Sequence, residues 1–127
     1  MLSIVLSISG CGPGVTADQM NADVYALSIP KVEMIGSMDL FRQTLPNGES
    51  RVVRYLSTAS EAKIREAFDA NFSRSGFRRL PGRTPDGAYK YQGGERRRAL
   101  LIEPEGVDKR RVTVFMFFPQ VFPDSNA

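Results

Sequence analysis

The stretch TASEAKIREAFDANFSRSGF, residues 58–77, says more about the fold than any other part of this 127-residue chain. Thr58 and Glu61 have the spacing of a capping box, in which two side chains satisfy free backbone N–H groups at the start of a helix. Apolar residues then recur at helical spacing on one face: Ile64, Ala67, Phe68 and Phe72. Gly76 is suited to the left-handed conformation that ends a helix, and Phe77 is placed to contact Phe72. The pattern predicts an amphipathic helix from about residue 59 to residue 75, which must lie on a sheet.

Two strands are predicted before this helix. Residues 39–45 and 50–56 are short runs containing Leu, Phe, Thr, Val and Tyr, and residues 46–49 (PNGE) separate them. Asn-Gly between two such runs is a strong hairpin signal, because both residues tolerate the positive φ of a tight turn. The sequence therefore predicts a β-hairpin that leads into the helix.

Three strands are predicted after the helix. Residues 78–87 (RRLPGRTPDG) form a loop by their Pro and Gly content, and strands follow at 88–92, 96–103 and 111–118. The order is β-β-α-β-β-β. Because the connections in both halves are of hairpin length, we predict an α+β fold: an antiparallel β-sheet of about five strands with one amphipathic helix packed on one face.

The last predicted strand is apolar on both faces. One set of alternating side chains is Val112, Val114, Met116 and Phe118, and the other is Thr113, Phe115 and Phe117. One helix cannot cover both faces of a sheet, so the second face needs another cover. Coverage by the chain itself, through the tail after Pro119 or the N-terminal segment, is the favoured interpretation. A partner that contacts Phe115 and Phe117 is the alternative.

Composition is that of one soluble domain and excludes several kinds of protein. An apolar fraction of 42% with eight Phe and four Tyr can build a core, and 24% charged residues is ordinary for a soluble surface. There is no His, and the single Cys cannot form an internal disulfide. No P-loop, dinucleotide motif, nucleophile elbow, zinc spacing or calcium loop is present. We therefore predict no catalytic residues, no metal, no cofactor and no enzyme activity.

Basic residues are concentrated in the second half of the chain. Residues 74–111 hold eleven Lys/Arg and five Asp/Glu, a net charge of +6, whereas the whole chain has +3. Four arginines are candidate polyanion contacts: Arg96, Arg98, Arg110 and Arg111. A nucleic-acid site would also need exposed aromatic rings for base stacking, and four are nearby: Tyr89, Tyr91, Phe115 and Phe117. On a strand Arg97 would point away from Arg96 and Arg98, and a solubilising basic surface is the plainer interpretation.

The N-terminus places the only cysteine in a distinctive setting. An uncharged apolar run, residues 1–8 (MLSIVLSI), is followed by Ser9, Gly10 and Cys11 and then by residues 12–14 (GPG). This resembles the lipobox that ends the signal peptide of bacterial lipoproteins, with Ile8 at the aliphatic position and two small residues before the cysteine. No Lys or Arg precedes Lys31, which departs from the usual charged start of such a peptide. The resemblance implies that Cys11 carries the lipid, including palmitate, as the first residue of the mature protein.

The resemblance divides the chain and implies a location. Residues 1–10 would be a signal-peptide remnant, 11–28 a flexible tether, 29–119 a single α+β domain and 120–127 a tail. The protein would be a small cell-envelope lipoprotein, anchored in a membrane by its lipid, with a non-catalytic binding or scaffolding domain in the periplasm or outside. Its partner would be a protein or an anionic envelope component, and nucleic acid is disfavoured there.

An alternative for the N-terminus makes residues 2–8 a first strand and Cys11 a buried residue in a Gly-rich turn. The protein would then be a soluble basic module that binds nucleic acid or another polyanion.

Overall fold

The computed structural model describes residues 15–27, 29–119 and 121–122. These residues form a six-stranded antiparallel sheet, two helices and a two-stranded parallel ladder. In chain order the elements are β1 (Val15–Thr16), α1 (Ala17–Ala26), β2 (Met34–Leu45), β3 (Gly48–Ser57), α2 (Glu61–Arg74), β4 (Arg78–Arg83), β5 (Tyr89–Gly93), β6 (Arg96–Pro104), β7 (Arg110–Pro119) and β8 (Val121–Phe122). The predicted α+β class is consistent with this architecture, although the sheet is larger than predicted. Cys11 and the predicted signal-peptide remnant lie outside the described residues.

The six strands lie in the order β2-β3-β7-β6-β5-β4, so the doubly apolar β7 lies inside the sheet, between β3 and β6. α2 carries the chain from β3 to the far edge, and β4 to β7 then return strand by strand. The predicted hairpin is present, with Leu45 opposite Gly48. The prediction of a loop over residues 78–87 is wrong in its first half, because Arg78 and Arg79 pair with β5 and form an edge strand. Pro81 is tolerated there because an edge strand has backbone N–H groups with no ladder partner.

α2 buries the predicted face but begins at a different residue. Its apolar stripe is fully buried at Ile64, Phe68 and Phe72. The Ser60 hydroxyl accepts the Lys63 backbone N–H at 3.2 Å, so Ser60 is the N-cap. Thr58 instead donates its hydroxyl to the carboxylate of Glu33 at 3.1 Å. The predicted capping box at Thr58 is therefore wrong, because this threonine holds the segment before β2 and the helix starts two residues later.

The end of α2 is as predicted. Gly76 has a φ of +84°, in the left-handed region. The backbone N–H groups of Gly76 and Phe77 donate to the carbonyls of Ser73 and Phe72 at 3.1 and 3.0 Å, the two bonds of a Schellman motif. The Phe72 and Phe77 rings lie 6.4 Å apart between centroids. This local stop directs the chain into β4.

Residues 15–27 fold onto the sheet. A capping box starts α1: Thr16 Oγ1 accepts the Gln19 backbone N–H at 3.1 Å, and Gln19 Oε1 accepts that of Thr16 at 2.9 Å. Met20 on α1 is buried among core side chains, and Val15 pairs with Val121 in the β1–β8 ladder. A flexible tether is therefore a wrong prediction for these residues. The short helix has few apolar residues, and its stability comes from packing on the sheet instead of from its own sequence.

The two faces of the large sheet differ. α1 and α2 pack on one, the covered face, over core residues that include Tyr55, Leu100 and Val114. The opposite face, the open face, has a surface formed by the side chains of Phe41, Arg54, Arg97, Leu101, Phe115 and Phe117, while Val52 on the same face is buried. Val15 and Val121 pack with the core of the covered face. Residues 15–27 and 121–122 therefore do not provide the predicted second cover. No helix within the described ranges is long and apolar enough to cross a bilayer.

Candidate functional site

Arg96 and Arg98 point to the covered face, where they hold α1. The side chain of Arg98 is 2% exposed, and its guanidinium lies 3.5 Å from the Asp23 carboxylate on α1. It also stacks over the rings of Phe72 and Phe77, at 4.8 and 4.0 Å from their centroids. Arg96 donates to the other oxygen of Asp23 at 2.8 Å. Arg98 is thus an interior residue and not the surface cation that strand alternation suggested.

Burial gives Arg98 an unusual electrostatic environment. Desolvation lowers the pKa of its guanidinium, while the charge of Asp23 acts in the opposite direction. Nε and Nη1 of Arg98 and Oδ2 of Asp23 are buried without a hydrogen-bond partner among the described residues. The pair is therefore held at ion-pair distance without good hydrogen-bond geometry. Such a pair makes the position of α1 strongly dependent on both charges.

Arg110 and Arg111 lie at the other end of the strands. Arg110 donates to the backbone carbonyl of Ala59 at 3.0 Å and so supports the start of α2. Arg111 Nε lies 3.5 Å from Glu103 and 3.7 Å from Glu105. All four predicted polyanion contacts therefore already have partners within the described residues, and the structure does not bring them together into one surface.

Tyr89 and Tyr91 are also on the covered face, which excludes them from base stacking on the open face. Their hydroxyls donate to Glu61 at 2.7 Å and to Asp69 at 2.6 Å. Burial, and then the neighbouring carboxylate, raises the pKa of both phenols. Of the four aromatic residues predicted for stacking, only Phe115 and Phe117 face outwards from the open face.

Two cavities lie side by side on the open face. The first has a volume of about 520 Å³ and is lined by residues that include Phe41, Val52, Arg54, Leu101, Arg111 and Phe115. The second has a volume of about 370 Å³ and is lined by residues that include Leu80, Lys90, Arg97, Ala99, Phe115 and Phe117. Phe115 lines both cavities and separates them. Each cavity therefore has an apolar floor with cationic side chains at its margin.

The exposed arginines of the open face rest on aromatic rings. The Arg54 guanidinium lies 5.3 Å from the Phe41 ring centroid, and that of Arg97 lies 4.6 Å from the Phe117 centroid. Neither arginine has a carboxylate at ion-pair distance among the described residues. Arg54 is not among the binding residues predicted from the sequence. The signal was its alternation with Val52 on a predicted strand, but this does not show which face of that strand is uncovered.

The chemistry available on the open face is that of binding. It offers aromatic and aliphatic side chains for apolar contact and guanidinium groups for anions. The described part of the chain contains no cluster of three or more His, Cys, Asp or Glu side chains that could hold a metal ion. No family model matches the chain, and no curated protein or solved structure matches it.

Proposed function

We propose that this chain is a non-catalytic binding domain of the bacterial cell envelope, held at a membrane by a lipid on Cys11, and that its ligand binds on the open face. The observation that supports the binding role is the pair of cavities with apolar floors, beside which Arg54 and Arg97 have no carboxylate partner among the described residues. The α+β scaffold holds these side chains on regular strands, so the surface exists before any ligand arrives.

The size of the open face supports this role. β3 and β7 are ten residues long, and they lie within a sheet of six strands. At the usual spacings the six strands cover on the order of 800 Å², polar and charged positions included. One side of a standard protein interface covers about 800 Å². The open face therefore has the dimensions of an interface.

The proposed anchor would hold the domain close to the bilayer. Cys11 precedes Val15 by four positions, and Val15 packs against the core of the domain. An extended chain covers at most about 3.5 Å per residue, so the lipid would lie within about 14 Å of Val15. Val15 belongs to the covered side of the sheet.

Lipid attachment is tested by expressing the full reading frame in a bacterium with a labelled palmitate analogue. We expect label in the protein and partitioning into a detergent phase, and Cys11→Ala should lose both. Ser9→Ala is the matched control, because alanine is also a small residue at this position and should keep the label. Equal labelling of the two variants would contradict the anchor.

The binding face is tested in the same cells with a photo-crosslinking residue. Placed at Gln43, an exposed residue that lines the first cavity, it should give a discrete adduct and leaves Arg54 and Arg97 intact. Placed at Glu66, whose side chain is 71% exposed on α2, it should give none. Adducts of equal yield from both positions, or none from position 43, would refute binding through the open face.

A soluble polyanion-binding module is the second candidate. The observation in its favour is the contact of an exposed arginine with an aromatic ring in two places, Arg54 with Phe41 and Arg97 with Phe117. Such pairs occur in single-stranded nucleic-acid sites. The guanidinium groups cover the rings here, however, so the faces of Phe41 and Phe117 are not free to stack on bases. Salt-dependent binding to unrelated DNA sequences tests this candidate.

A further inference from the structure

The covered face of the sheet carries a layer of helices. It is covered by α1 and α2, which place Met20, Phe68 and Phe72 on the strands. The open face has no such layer among the described residues, although β7 presents Phe115 and Phe117 to it. A helix laid on these strands would make the sheet the middle of three layers. If the open face binds a ligand, as the proposed function requires, its chemistry indicates which kind of partner it takes.

The charges of the open face favour an acidic partner. Arg54 and Arg97 are exposed and lack a carboxylate partner within the described part of the chain, whereas Arg111 is already paired with Glu103. Asp39 lies opposite Arg54 in the β2–β3 register, but no ion pair joins them. A second copy of this chain would bring two such cationic surfaces together, which is unfavourable. Carboxylates would complement them.

The strand register gives the spacing of the two cations. Arg54 is opposite Thr113 on one side of β7, and Arg97 is opposite Phe117 on the other side. Four residues of β7 span about 13 Å and two strand spacings about 10 Å, so the two positions lie about 16 Å apart. An α-helix rises about 16 Å in three turns, or about eleven residues. Two side chains eleven positions apart on one helical face can therefore reach both arginines.

We propose that the open face binds an amphipathic helix of an acidic partner protein. Carboxylates at helix positions i and i+11 pair with Arg54 and Arg97, and apolar side chains at i+4 and i+7 enter the cavities on either side of Phe115. These four positions lie on one face of an α-helix. The partner is thus recognised by a spacing of charge and apolar residues that the sheet itself sets.

The test uses the full chain and a synthetic helical peptide labelled with a fluorophore. The probe peptide has Glu at i and i+11, Leu at i+4 and i+7, and neutral polar residues elsewhere. Its isomer has the same composition but carries the two Glu at i+2 and i+9, on the opposite helical face. At physiological salt, fluorescence anisotropy should show binding of the probe, and binding of the isomer should be weaker by about tenfold or more.

Protein variants locate the contact. Arg97→Glu should weaken binding of the probe by about tenfold or more, and a peptide with Lys in place of both Glu should regain binding to the Arg54→Glu/Arg97→Glu protein. Arg74→Glu, with the same charge change at the exposed end of α2, should leave binding unchanged. Failure of the probe to bind, equal binding of the isomer, or an equal effect of Arg74→Glu would overturn the proposal.

Two further measurements distinguish failure of the acidic-helix proposal from failure of the proposed function. If a DNA duplex or an anionic phospholipid vesicle binds in a manner that Arg97→Glu abolishes, while the probe peptide does not bind, the acidic-helix partner is refuted and that ligand takes its place. A cellular adduct from position 43 without peptide binding likewise refutes the helix alone. Absence of both the adduct and peptide binding refutes the helix and the binding face together.

Discussion

Arg98 shows how one buried charge can join two distant parts of a chain. Its guanidinium lies between the rings of Phe72 and Phe77 and the carboxylate of Asp23, which belongs to α1. The cation–aromatic contacts and the ion pair together offset part of the loss of hydration. Removing one member leaves the other charge uncompensated, and this makes the site a sensitive probe of the docking of α1.

We predict that Asp23→Asn lowers the free energy of unfolding by about 3–5 kcal/mol, because it leaves Arg98 buried without a counter-charge. Glu95→Gln is the control, since Glu95 is exposed in the adjacent turn and should change stability by less than about 0.5 kcal/mol. Urea denaturation of both variants measures the difference. Similar midpoints would mean that the ion pair does not hold α1 in place.

Tyr55 makes stability depend on alkaline pH. Burial raises the pKa of its phenol from 10.0 to about 12, and its hydroxyl donates to the Pro30 carbonyl at 3.5 Å. Because the folded-state pKa is raised, this stabilisation is fully present below about pH 10 and is lost as the pH rises through about 12. Denaturant melts between neutral pH and pH 11 should show a smaller alkaline loss of stability in Tyr55→Phe than in the parent. The same loss in both would contradict the prediction.

At the scale of elements, both helices begin with a hydroxyl cap, but the two are stabilised differently. α2 carries a complete apolar stripe and a Schellman stop, so its limits are set largely by its own sequence. α1 has a capping box at Thr16 and is held through Met20 and Asp23. The position of α1 on the sheet therefore depends on contacts with distant residues more than that of α2 does.

The cap of α2 is tested by two neighbouring hydroxyl residues. Ser60→Ala removes the side chain that accepts the Lys63 N–H and should cost about 1 kcal/mol of stability. Thr58→Ala removes an exposed bond to Glu33 and should cost less than about 0.5 kcal/mol. Thermal or chemical melts give the order of the two effects. A larger loss of stability in Thr58→Ala than in Ser60→Ala would mean that Thr58 is the N-cap.

The docking of α1 is tested by residues adjacent in sequence. Met20 is 5% exposed, and Met20→Ala should cost about 2–5 kcal/mol, as for other buried methionines. Asn21 is exposed on the same helix, and Asn21→Ala should change stability by less than about 0.5 kcal/mol. If the two variants unfold at the same denaturant concentration, residues 15–27 are a tether after all.

At the scale of the whole molecule, the charge of the second half is spread over several surfaces. Arg96 and Arg98 pair with Asp23 on the covered face, and Arg110 donates to a carbonyl at the start of α2. Arg97 lies on the open face. The net charge of +6 over residues 74–111 therefore does not form one polyanion site. It provides a diffuse positive potential with a few exposed contacts.

We predict that Arg54→Glu/Arg97→Glu weakens binding to two unrelated DNA sequences and to an acidic polysaccharide to a similar degree. Any such binding should fall steeply with salt, because it comes from counterion release. The stability of the variant should be nearly unchanged, since exposed charges contribute little to folding. Salt titrations of affinity measure this. Strong preference for one DNA sequence at physiological salt would make nucleic-acid recognition the leading function.

The sequence by itself determined the features that depend on residues a few positions apart. The turn at Asn47-Gly48, the helix stop at Gly76 and the alternation of the arginines around Arg97 follow from backbone preferences and strand periodicity. These local terms act in almost any surrounding structure. The hairpin, the end of α2 and the α+β class could therefore be predicted before the structure was known.

Only the tertiary structure decided which surfaces are covered and which charges are free. Arg98 is interior because Asp23, far away in the sequence, meets it across the covered face. α1 is stable because the sheet buries Met20, and Arg54 is exposed because no described element lies over the open face. The physical reason is that burial, and with it the hydration and pairing of each charge, depends on which distant segments come into contact.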